Sequence, residues 1–444
     1  MGLERSGDVV PTERVGQPGN GDEPARAVKP FGIAKRVVWE AYRQVKANRG
    51  AAGIDGESIE MFEANLKGNL YRVWNRMSSG AYFPPAIRLV EIPKKSGGVR
   101  TLGIATVEDR IAQTVVKIYI EPALEQLFHP DSYGYRPGKS ALQAIEVTRE
   151  RCWKYDWVIE FDIHRAFDEL DWALVLRTVR KHVKERWAVL YIERWLQVPF
   201  EKADGTIVAR SKGVPQGSVI GPVLMNLFMH YCFDRWMQEK HSYSPFARYC
   251  DDAVVHCGSQ KQAQWKLLAI GRRLEECGLQ LNLQKSAIVY CKDSSRRDRH
   301  AHKQFTFLGY TFRPRGAKNR YGKLFDSFLP AVSLEATKKM LRTIKSWKLS
   351  RQTSASIAEL AARYNPILRG WLNYYGRFYK SALHKVFHRF EAALARWARW
   401  KYKKLRKHIG RSYQWVWRVA RRQPELFTHW RVYGNACGRP MGAV

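Results

Sequence analysis

The sequence predicts an α+β fold, in which helical and extended segments alternate before a last third that is almost wholly helical. Residues 31–75 carry apolar side chains at helical spacing, on a stripe that includes Val38 and Val45. Two extended runs then lie on either side of a Lys-Lys-Ser-Gly-Gly turn at 94–98, which is typical of a β-hairpin. These mixed periodicities indicate helices that pack against antiparallel strands.

The later elements follow from the same two periodicities, read in chain order. Strands are predicted at 157–161 and in two further hairpins, one that turns at Asp204-Gly205 and one around Cys250-Asp251-Asp252. The predicted helices cover 108–128, 141–153, 172–196 and 221–236, and three more begin at Ser333, at Ser354 or Ser356, and at Ser381. Beyond Thr311 no further strand is predicted.

Composition limits the class of protein and its partners. The chain has 444 residues, 45% of them hydrophobic, and a formal net charge of +35, which is typical of a globular protein with a polyanionic partner. The longest apolar stretch, near 220–233, is too short to span a bilayer. Seven cysteines without a C-x-x-C pair argue against a disulfide framework. We therefore expect a reduced, cytosolic protein that binds nucleic acid rather than membrane.

Three carboxylates are the strongest chemical signal. Asp251 and Asp252 stand side by side at a predicted hairpin tip, where they repel each other unless a cation is bound. Asp162 ends a predicted strand of β-branched and aromatic residues. Carboxylates that converge from two strand ends are what a two-metal phosphoryl-transfer site requires. For the Asp pair alone, a solvated turn is an equally good interpretation.

A set of motifs in a fixed order carries a resemblance. The chain contains FDIHRAFD at 161–168, GVPQGS at 213–218 and YCDD at 249–252, together with IPK at 92–94, YGYRP at 133–137, LQLN at 279–282, FLGY at 307–310 and YNPILRGW at 364–371. The sequence resembles the group II intron reverse transcriptase and maturase family over about residues 31–435. The resemblance implies a right-hand polymerase fold, with fingers and palm built on an antiparallel sheet, followed by an α-helical thumb or maturase domain and a basic helical C-terminal segment.

The resemblance also implies roles for individual residues. Asp162, Asp251 and Asp252 match the catalytic carboxylates that bind two Mg²⁺ ions, with Mn²⁺ as a possible substitute. The positions that match nucleotide-binding residues are Lys94, Arg100, Phe167, Gln216, Gly217 and Lys285. From the residues alone, Phe167 fits a core position and the lysines fit solvated ones, so these alternatives stay open.

Three departures from the family pattern concern the same motifs. Cys250 stands where the family usually has Ala; it is small enough to fit the turn, and a thiol that was exposed there could oxidise. His164-Arg165 replaces a more usual basic-Gly pair. Asp168 and Asp171 are predicted to cap helices rather than to bind metal.

The C-terminal region is expected to bind nucleic acid. Sixteen Lys or Arg and two acids lie between Arg377 and Arg431, with Trp397, Trp400, Trp415, Trp417 and Trp430 among them; this composition suits phosphates and exposed bases, although a buried aromatic core is the alternative. The nucleic-acid-binding candidates are Arg369, Arg377, Lys380, Arg396, Arg399, Lys403, Lys404, Arg406 and Lys407. Paired cysteines of the HNH endonuclease module are not found, so we expect no target cleavage.

The predicted domains are a flexible tail at 1–30, a helical extension of the fingers at 31–85, fingers and palm at 86–320, the thumb or maturase domain at 321–395 and a basic segment at 396–444. The predicted function is that of an RNA-directed DNA polymerase and maturase, which helps a group II intron to splice and copies it into DNA during retrohoming. Its expected partners are intron RNA, target DNA, an RNA/DNA template-primer and dNTP, in the bacterial cytosol at the nucleoid. The alternatives are a free-standing polymerase in repair or defence and a splicing-only maturase.

Overall fold

A computed structural model describes residues 29–93 and 99–433. The predicted N-terminal tail, apart from Lys29 and Pro30, and the Lys-Lys-Ser-Gly-Gly turn both lie outside the described residues.

The first part of the chain is helical around one hairpin. Its elements are α1 (Lys35–Ala47), α2 (Ile59–Ala64), α3 (Leu66–Ser78), β1 (Ile87–Pro93), β2 (Val99–Ile104), α4 (Val107–Glu125) and α5 (Ala141–Lys154). The apolar stripe of α1 packs into the core through Val38, Tyr42 and Val45, as its helical spacing predicts.

Strands and helices alternate in the middle of the chain. The elements are β3 (Trp157–Phe161), α6 (Ala166–Glu169), α7 (Trp172–His182), α8 (Arg186–Gln197), β4 (Phe200–Glu201), β5 (Ile207–Val208), α9 (Gly221–Met229), a π-helical turn (His230–Asp234), α10 (Arg235–Lys240), β6 (Phe246–Tyr249), β7 (Asp252–Cys257), α11 (Gln260–Glu276) and β8 (Ala287–Tyr290).

The last part begins with strands and ends with helices. The elements are β9 (Phe305–Phe307), β10 (Tyr310–Lys318), β11 (Leu324–Val332), α12 (Leu334–Ser346), a 3₁₀ turn (Leu349–Arg351), α13 (Ile357–Tyr375), a 3₁₀ turn (Lys380–Leu383), α14 (His384–Lys401), a 3₁₀ turn (Lys403–Leu405), α15 (Ile409–Arg422) and α16 (Thr428–Tyr433).

The central sheet has the order β6-β7-β3-β8 and is antiparallel throughout. Val158 and Ile159 in β3 are fully buried, because helices cover one face of the sheet and the β9–β11 layer packs near the other. Phe161 pairs with Ala253, so β3 ends beside the turn between β6 and β7. This register brings the two acidic motifs together.

A second sheet, of order β2-β1-β4-β5, carries the first hairpin. Strands β1 and β2 pair antiparallel over six positions, whereas β1 and β4 form a short parallel pair. This sheet is therefore mixed, and purely antiparallel pairing is found in the central sheet and in the β11-β10-β9 sheet.

The prediction that the chain is helical from Thr311 onward was wrong. Strands β10 and β11 form a long antiparallel hairpin, in which Tyr310 pairs with Val332 and Lys318 with Leu324. Phe312 is buried whereas Arg313 is exposed, which is the period of two that a half-buried strand requires.

The single helix predicted over 172–196 is two helices. Val183 leaves the helical conformation at φ −95° and ψ 113°, and its side chain is buried in the core. Helix α8 restarts after Glu185, which is also extended. Burial of one β-branched residue thus outweighs a helical periodicity that continues through the break.

The helices after β11 form a core of their own, to which Leu368, Phe387, Phe390 and Leu394 contribute. The predicted starts at Ser333 and Ser356 are confirmed, since the first hydroxyl accepts from the Ala336 amide and the second forms a capping box with Glu359. Among the described residues, none of the helices has the length and apolar character needed to traverse a membrane.

Candidate active site

The acidic residues lie at the end of β3 and in the turn between β6 and β7. Tyr249 pairs with Asp252, which leaves Cys250 and Asp251 as a two-residue turn. Cys250 has a φ of 64°, the left-handed conformation that tight hairpins need and that a non-glycine residue adopts at a cost of about 1 kcal/mol or more. Because Phe161 pairs with Ala253, Asp162 follows directly beside this turn.

The three carboxylates act on one another electrostatically. Burial raises the pKa of Asp251, and the charge on Asp162 raises it further. Burial and then the charges on Asp251 and Asp162 raise the pKa of Asp252 to about 7. Asp252 nevertheless remains exposed to solvent, so a cation can reach it. Clustered negative charge that is open to solvent favours cation binding.

Basic and amide groups already contact one of the carboxylates. The Lys285 Nζ and the Asn282 Nδ2 each lie 3.0 Å from Asp162 Oδ2. The loop that carries them is attached along β3, since the Asn282 amide donates to the Asp162 carbonyl at 2.8 Å. Lys285 is largely exposed, so it can exchange this contact for another anion.

A buried arginine contacts the backbone of the acidic turn from the core side. Arg248 has no exposed side-chain surface and forms a bidentate ion pair with Asp234, at 2.7 and 2.5 Å. Its Nη1 also donates to the Cys250 carbonyl at 2.8 Å, directly before Asp251. The guanidinium therefore connects the core of the molecule to the turn that carries two of the carboxylates.

The same guanidinium organises the neighbouring YGYRP loop. Its Nη1 donates to Asn226 Oδ1 and its Nη2 to Ser132 Oγ, while Asn226 Nδ2 donates to the Gly134 carbonyl at 2.7 Å. A Cβ at Gly134 would lie 2.4 Å from the Cys250 nitrogen. Only glycine allows this loop to pack so closely against the acidic turn.

A second set of contacts joins β2 to the loop at 213–218. Arg100 Nε donates to Gln216 Oε1 at 2.8 Å, and the Gly103 amide donates to the Gln216 carbonyl at 2.8 Å. Gly217 has a φ of 109°, and a Cβ there would lie 2.5 Å from the Gly103 carbonyl oxygen. The positive charge of Arg100 lowers the pKa of Asp251, which places Arg100 within electrostatic range of the acidic turn.

The structure brings together most of the predicted nucleotide-binding residues, though it does not test their roles. Arg100, Gln216 and Gly217 form one group and Lys285 joins the carboxylates. Phe167 is half-buried against the core. Lys94 lies outside the described residues.

The structure corrects one expectation about these motifs, for Asp168, and shows the environment of Cys250. The Cys250 side chain is buried rather than exposed, and burial raises its pKa. Asp171 caps α7 by accepting from the Leu174 amide at 2.8 Å, as predicted. Asp168 does not cap a helix; it pairs with Arg165 and accepts from Gln216 Nε2 at 3.4 Å.

Four relevant residues were not identified from the sequence: Glu160, Asn226, Asp234 and Arg248. Glu160 lies on β3 two positions before Asp162, which directly follows the strand, and a spacing of two in extended chain places both side chains on one face. Burial raises the pKa of Glu160 to about 7, and the charges on Asp252 and Asp162 add to the rise. No sequence signal distinguishes the buried Arg248 from a surface arginine, because its partner Asp234 lies on another element.

The donor set suits a divalent cation, since it consists of oxygen ligands only, which are what Mg²⁺ prefers. Among the described residues, no three acidic, histidine or cysteine side chains are close enough together to enclose a metal ion. The Lys285 ammonium instead supplies positive charge at Asp162. Mutual repulsion of the carboxylates, which a cation would relieve, is the observation that fits a metal here.

The predicted nucleic-acid-binding bases are all at the surface, with Arg399 half-buried. Arg396, Arg399, Arg406 and Lys407 line a common cavity with Trp400. Two of the tryptophans expected to contact bases do not reach the surface, because Trp397 and Trp430 are buried in the C-terminal core. Trp400, by contrast, is 63% exposed.

Comparison with known proteins agrees with these observations. The family described as Reverse transcriptase (RNA-dependent DNA polymerase) matches residues 92–312, and the Group II intron, maturase-specific domain matches residues 337–424. Protein YkfC of Escherichia coli is 30% identical over 331 residues, which cover 64% of this chain and 82% of YkfC.

Two further similarities extend over more of the chain. The group II intron-encoded protein LtrA of Lactococcus lactis is 24% identical over 428 residues, covering 77% of this chain and 68% of LtrA. A solved structure of Candida albicans telomerase with telomeric RNA has a TM-score of 0.41 and 9% identity, and covers 84% of this chain and 68% of that one. The chain belongs to the group II intron reverse transcriptase and maturase family, and it is an RNA-directed DNA polymerase, dependent on divalent metal, that binds intron RNA and template.

Proposed function

We propose that Asp162, Asp251 and Asp252 bind two Mg²⁺ ions, for which Mn²⁺ can substitute, and that the protein extends a primer with dNTPs while it copies intron RNA during retrohoming. The observation that carries this proposal is the convergence of β3 and the β6–β7 turn, which places the three carboxylates within electrostatic range of one another. Bound metal ions of this kind activate the primer 3′ hydroxyl and stabilise the leaving pyrophosphate.

The residues around the carboxylates have separate tasks in this proposal. Arg100, oriented by Gln216, binds the triphosphate together with Lys94, and Gly217 lets the backbone approach the nucleotide. Phe167 packs against the sugar. Lys285, whose ammonium contacts Asp162 Oδ2, would bind the phosphates instead if that oxygen held a metal ion.

The division of the chain follows its hydrophobic cores, two of which pack on the central sheet and the third among the C-terminal helices. We propose fingers and palm from 86 through the β10–β11 hairpin, with the helical extension at 31–85. The thumb begins after Val332 rather than at 321, because 321 lies in the turn of that hairpin and the C-terminal core starts with Val332. The boundary at 395/396 would cut α14, so we place the beginning of the basic segment after Lys401. Exposed bases of the thumb and this segment contact intron RNA and target DNA.

Primer extension on an RNA template tests the proposal. Asp251→Ala should reduce DNA synthesis at least about 100-fold, because one ligand of the metal ions is lost. The matched control is Asp298→Asn, an exposed acid outside the site, which should polymerise normally. Wild-type activity in Asp251→Ala would refute the assignment.

The same variants should show that maturase activity does not require polymerase activity. Splicing of the intron RNA should survive Asp251→Ala, because RNA binding by the thumb does not involve the acidic turn. A loss of splicing as large as the loss of DNA synthesis would contradict this separation.

A further inference from the structure

Two cavities on the surface of the C-terminal helices share the lining residue Arg396, and together we call them the thumb groove. One cavity, of about 450 Å³, lies between α12, the Leu349–Arg351 turn and α14. The other, of about 420 Å³, follows α14 to the next turn, and Arg396 lines both. None of the described residues that line either cavity is acidic. The basic residues are Arg342, Lys345, Lys348, Arg351, Arg389 and Arg396 in the first, with Arg399, Arg406 and Lys407 in the second.

The wall of the groove is fixed by contacts between α14 and the segment that follows the Leu349–Arg351 turn. Trp397 Nε1 donates to the Gln352 carbonyl at 2.9 Å, and Lys401 Nζ donates to the Thr353 and Ala355 carbonyls at 2.9 Å each. Arg396 and Trp400 are also four positions apart and both exposed, so they share one solvent-facing side of the helix. The groove is therefore preorganised before any ligand binds.

Trp400 presents an open ring surface inside this basic groove. Its side chain is 63% exposed, and among the described residues no ring or cation stacks on the indole. Lys401 instead lies over the Trp397 ring, 5.6 Å from its centre. A large apolar ring held among cations suits a ligand that offers both a flat apolar face and negative charge. A nucleotide with an unpaired base has both properties.

We propose that the thumb groove binds a single-stranded segment of RNA and stacks one unpaired base on Trp400, while Arg396, Arg399, Arg406 and Lys407 hold the neighbouring phosphates. The proposal rests on the RNA-binding role of the maturase domain and adds the form of RNA that the groove takes. Arg389 to Trp400 spans about 16 Å along α14, which is long enough for a short strand. Duplex bases are stacked on one another, so they cannot occupy the Trp400 surface.

Equilibrium binding tests the proposal without any catalysis. The full chain is titrated against a fluorescein-labelled 12-nucleotide oligo(A) RNA, in EDTA and without dNTP. Trp400→Leu should weaken binding about 5- to 150-fold, the range for loss of one base stack, whereas Trp400→Phe keeps an aromatic face and should retain most of the affinity. Trp265→Leu is the matched control, since Trp265 is 59% exposed on α11, and it should bind as the wild type does.

The dependence on salt separates stacking from charge. Trp400→Leu should leave the slope of log K against log[salt] unchanged, because the indole makes no phosphate contact. Arg396→Gln and Arg406→Gln should each lower the magnitude of the slope by about 0.7, as for one lost single-strand phosphate contact. A changed slope in Trp400→Leu would mean that the groove itself had been distorted, and it would overturn the proposal.

Comparisons between the variants, and between RNA and DNA probes, complete the test. The stacking role would be overturned if Trp400→Leu bound the oligo(A) RNA with wild-type affinity, or if Trp400→Phe lost as much affinity as Trp400→Leu. It would also be overturned if Trp400→Leu weakened the binding of duplex RNA by the same factor as that of the oligo(A) RNA. An equal loss for single-stranded DNA of the same sequence would support the groove as a site for unpaired nucleotides of either sugar. Failure of the wild-type protein to polymerise would refute the polymerase mechanism but would leave these binding results intact.

Discussion

Arg248 shows how one residue can determine the geometry of the acidic turn. Its guanidinium is fully buried, and it donates at once to Asp234, Asn226, Ser132 and the Cys250 carbonyl. Such a charge is tolerated in the core only because every contact is made. We regard Arg248 as a positioning residue, since it acts on the carboxylates through the backbone of the turn.

Arg248→Met should lower both stability and activity. Asp234 would remain as a buried charge without its partner, at a cost of about 3–5 kcal/mol in the free energy of unfolding. Primer extension should fall about 10-fold or more, because the Cys250 carbonyl loses its donor and the turn loses its fixed position. Urea unfolding and DNA synthesis on an RNA template measure the two effects.

A double variant separates the two effects. Arg248→Met with Asp234→Asn removes the unpaired charge, so it should regain part of the stability while the kcat for polymerisation stays low. Recovery of kcat in parallel with stability would show that Arg248 serves folding alone.

His256 makes stability depend on pH. Neither of its ring nitrogens has a hydrogen-bond partner among the described residues, and burial, aided by Arg151, lowers its pKa to about 3. In the unfolded chain the pKa of histidine is about 6.5. Between these values the unfolded state binds a proton that the folded state does not, so stability is present above about pH 6.5 and is lost as pH falls towards 3.

His256→Leu should therefore reduce the loss of stability in acid. The variant should remove about 1.4 kcal/mol per pH unit from the slope of the unfolding free energy between pH 6 and 4. Urea midpoints at several pH values provide the measurement, with His302→Leu, an exposed histidine, as control. Equal slopes in wild type and His256→Leu would contradict the burial argument.

At the scale of elements, the loop at 213–218 and strand β2 depend on a close approach between backbones. Gly217 lies against the Gly103 carbonyl, and the neighbouring Gln216 orients Arg100. A side chain at 217 would have to push the loop away from β2, which would separate Arg100 from Gln216. The geometry of the proposed nucleotide site thus depends on contact between two elements rather than on either alone.

Gly217→Ala should raise the KM for dNTP about 10-fold or more in primer extension, with a smaller change in kcat. Gly205→Ala is the matched control: Gly205 also has a positive φ, of 81°, but a Cβ there meets no atom within 4 Å. Both glycines have a positive φ, so both variants carry backbone strain, whereas the close approach to Gly103 exists only at 217. Similar KM values in the two variants would refute the role of the contact.

The thumb is joined to the β11-β10-β9 sheet by an aromatic contact that the FLGY motif provides. Leu308 and Gly309 both have positive φ values, which turn the chain so that Tyr310 packs on Tyr374 and Tyr375 of α13. The Tyr374 hydroxyl donates back to the Leu308 carbonyl at 2.8 Å. The FLGY motif therefore has a structural role, the packing of Tyr310 against α13, that is independent of catalysis.

At the scale of the whole molecule, the net charge of +35 includes many C-terminal bases. Truncation cannot remove these bases without also removing part of the C-terminal core. Removing the chain after Tyr379 would delete α14, whose Phe387, Phe390 and Leu394 are fully buried. A truncated protein would therefore lose the fold of its thumb together with its basic surface. Substitutions at exposed bases test the electrostatic role without this loss.

Replacing Arg369, Lys403 and Lys404 by Gln should lower the magnitude of the log K against log[salt] slope for intron RNA by about 2.1–2.7, at 0.7–0.9 per lost phosphate contact. A control triple variant, at Lys202, Lys261 and Arg272, changes equally exposed bases outside the thumb. Equal slopes in both triple variants would mean that the C-terminal charge is not specifically engaged with RNA.

The sequence by itself determined the features that depend on local patterns. The strand before Asp162, the hairpin with Asp251-Asp252 and the caps at Ser333 and Ser356 follow from periodicity and short-range hydrogen bonds. The motif order was enough to indicate the family. Each of these signals lies within a few residues of the feature that it predicts.

Only the tertiary structure decided which residues lost contact with water. Trp397 is buried and Trp400 is exposed although both lie in the same basic helix. Val183 breaks a helix, the β10–β11 hairpin replaces a predicted helix, and Arg248 meets Asp234, in each case through a partner that is distant in sequence. Burial and pairing between distant segments depend on the free energy of the whole fold, so local sequence patterns do not report them.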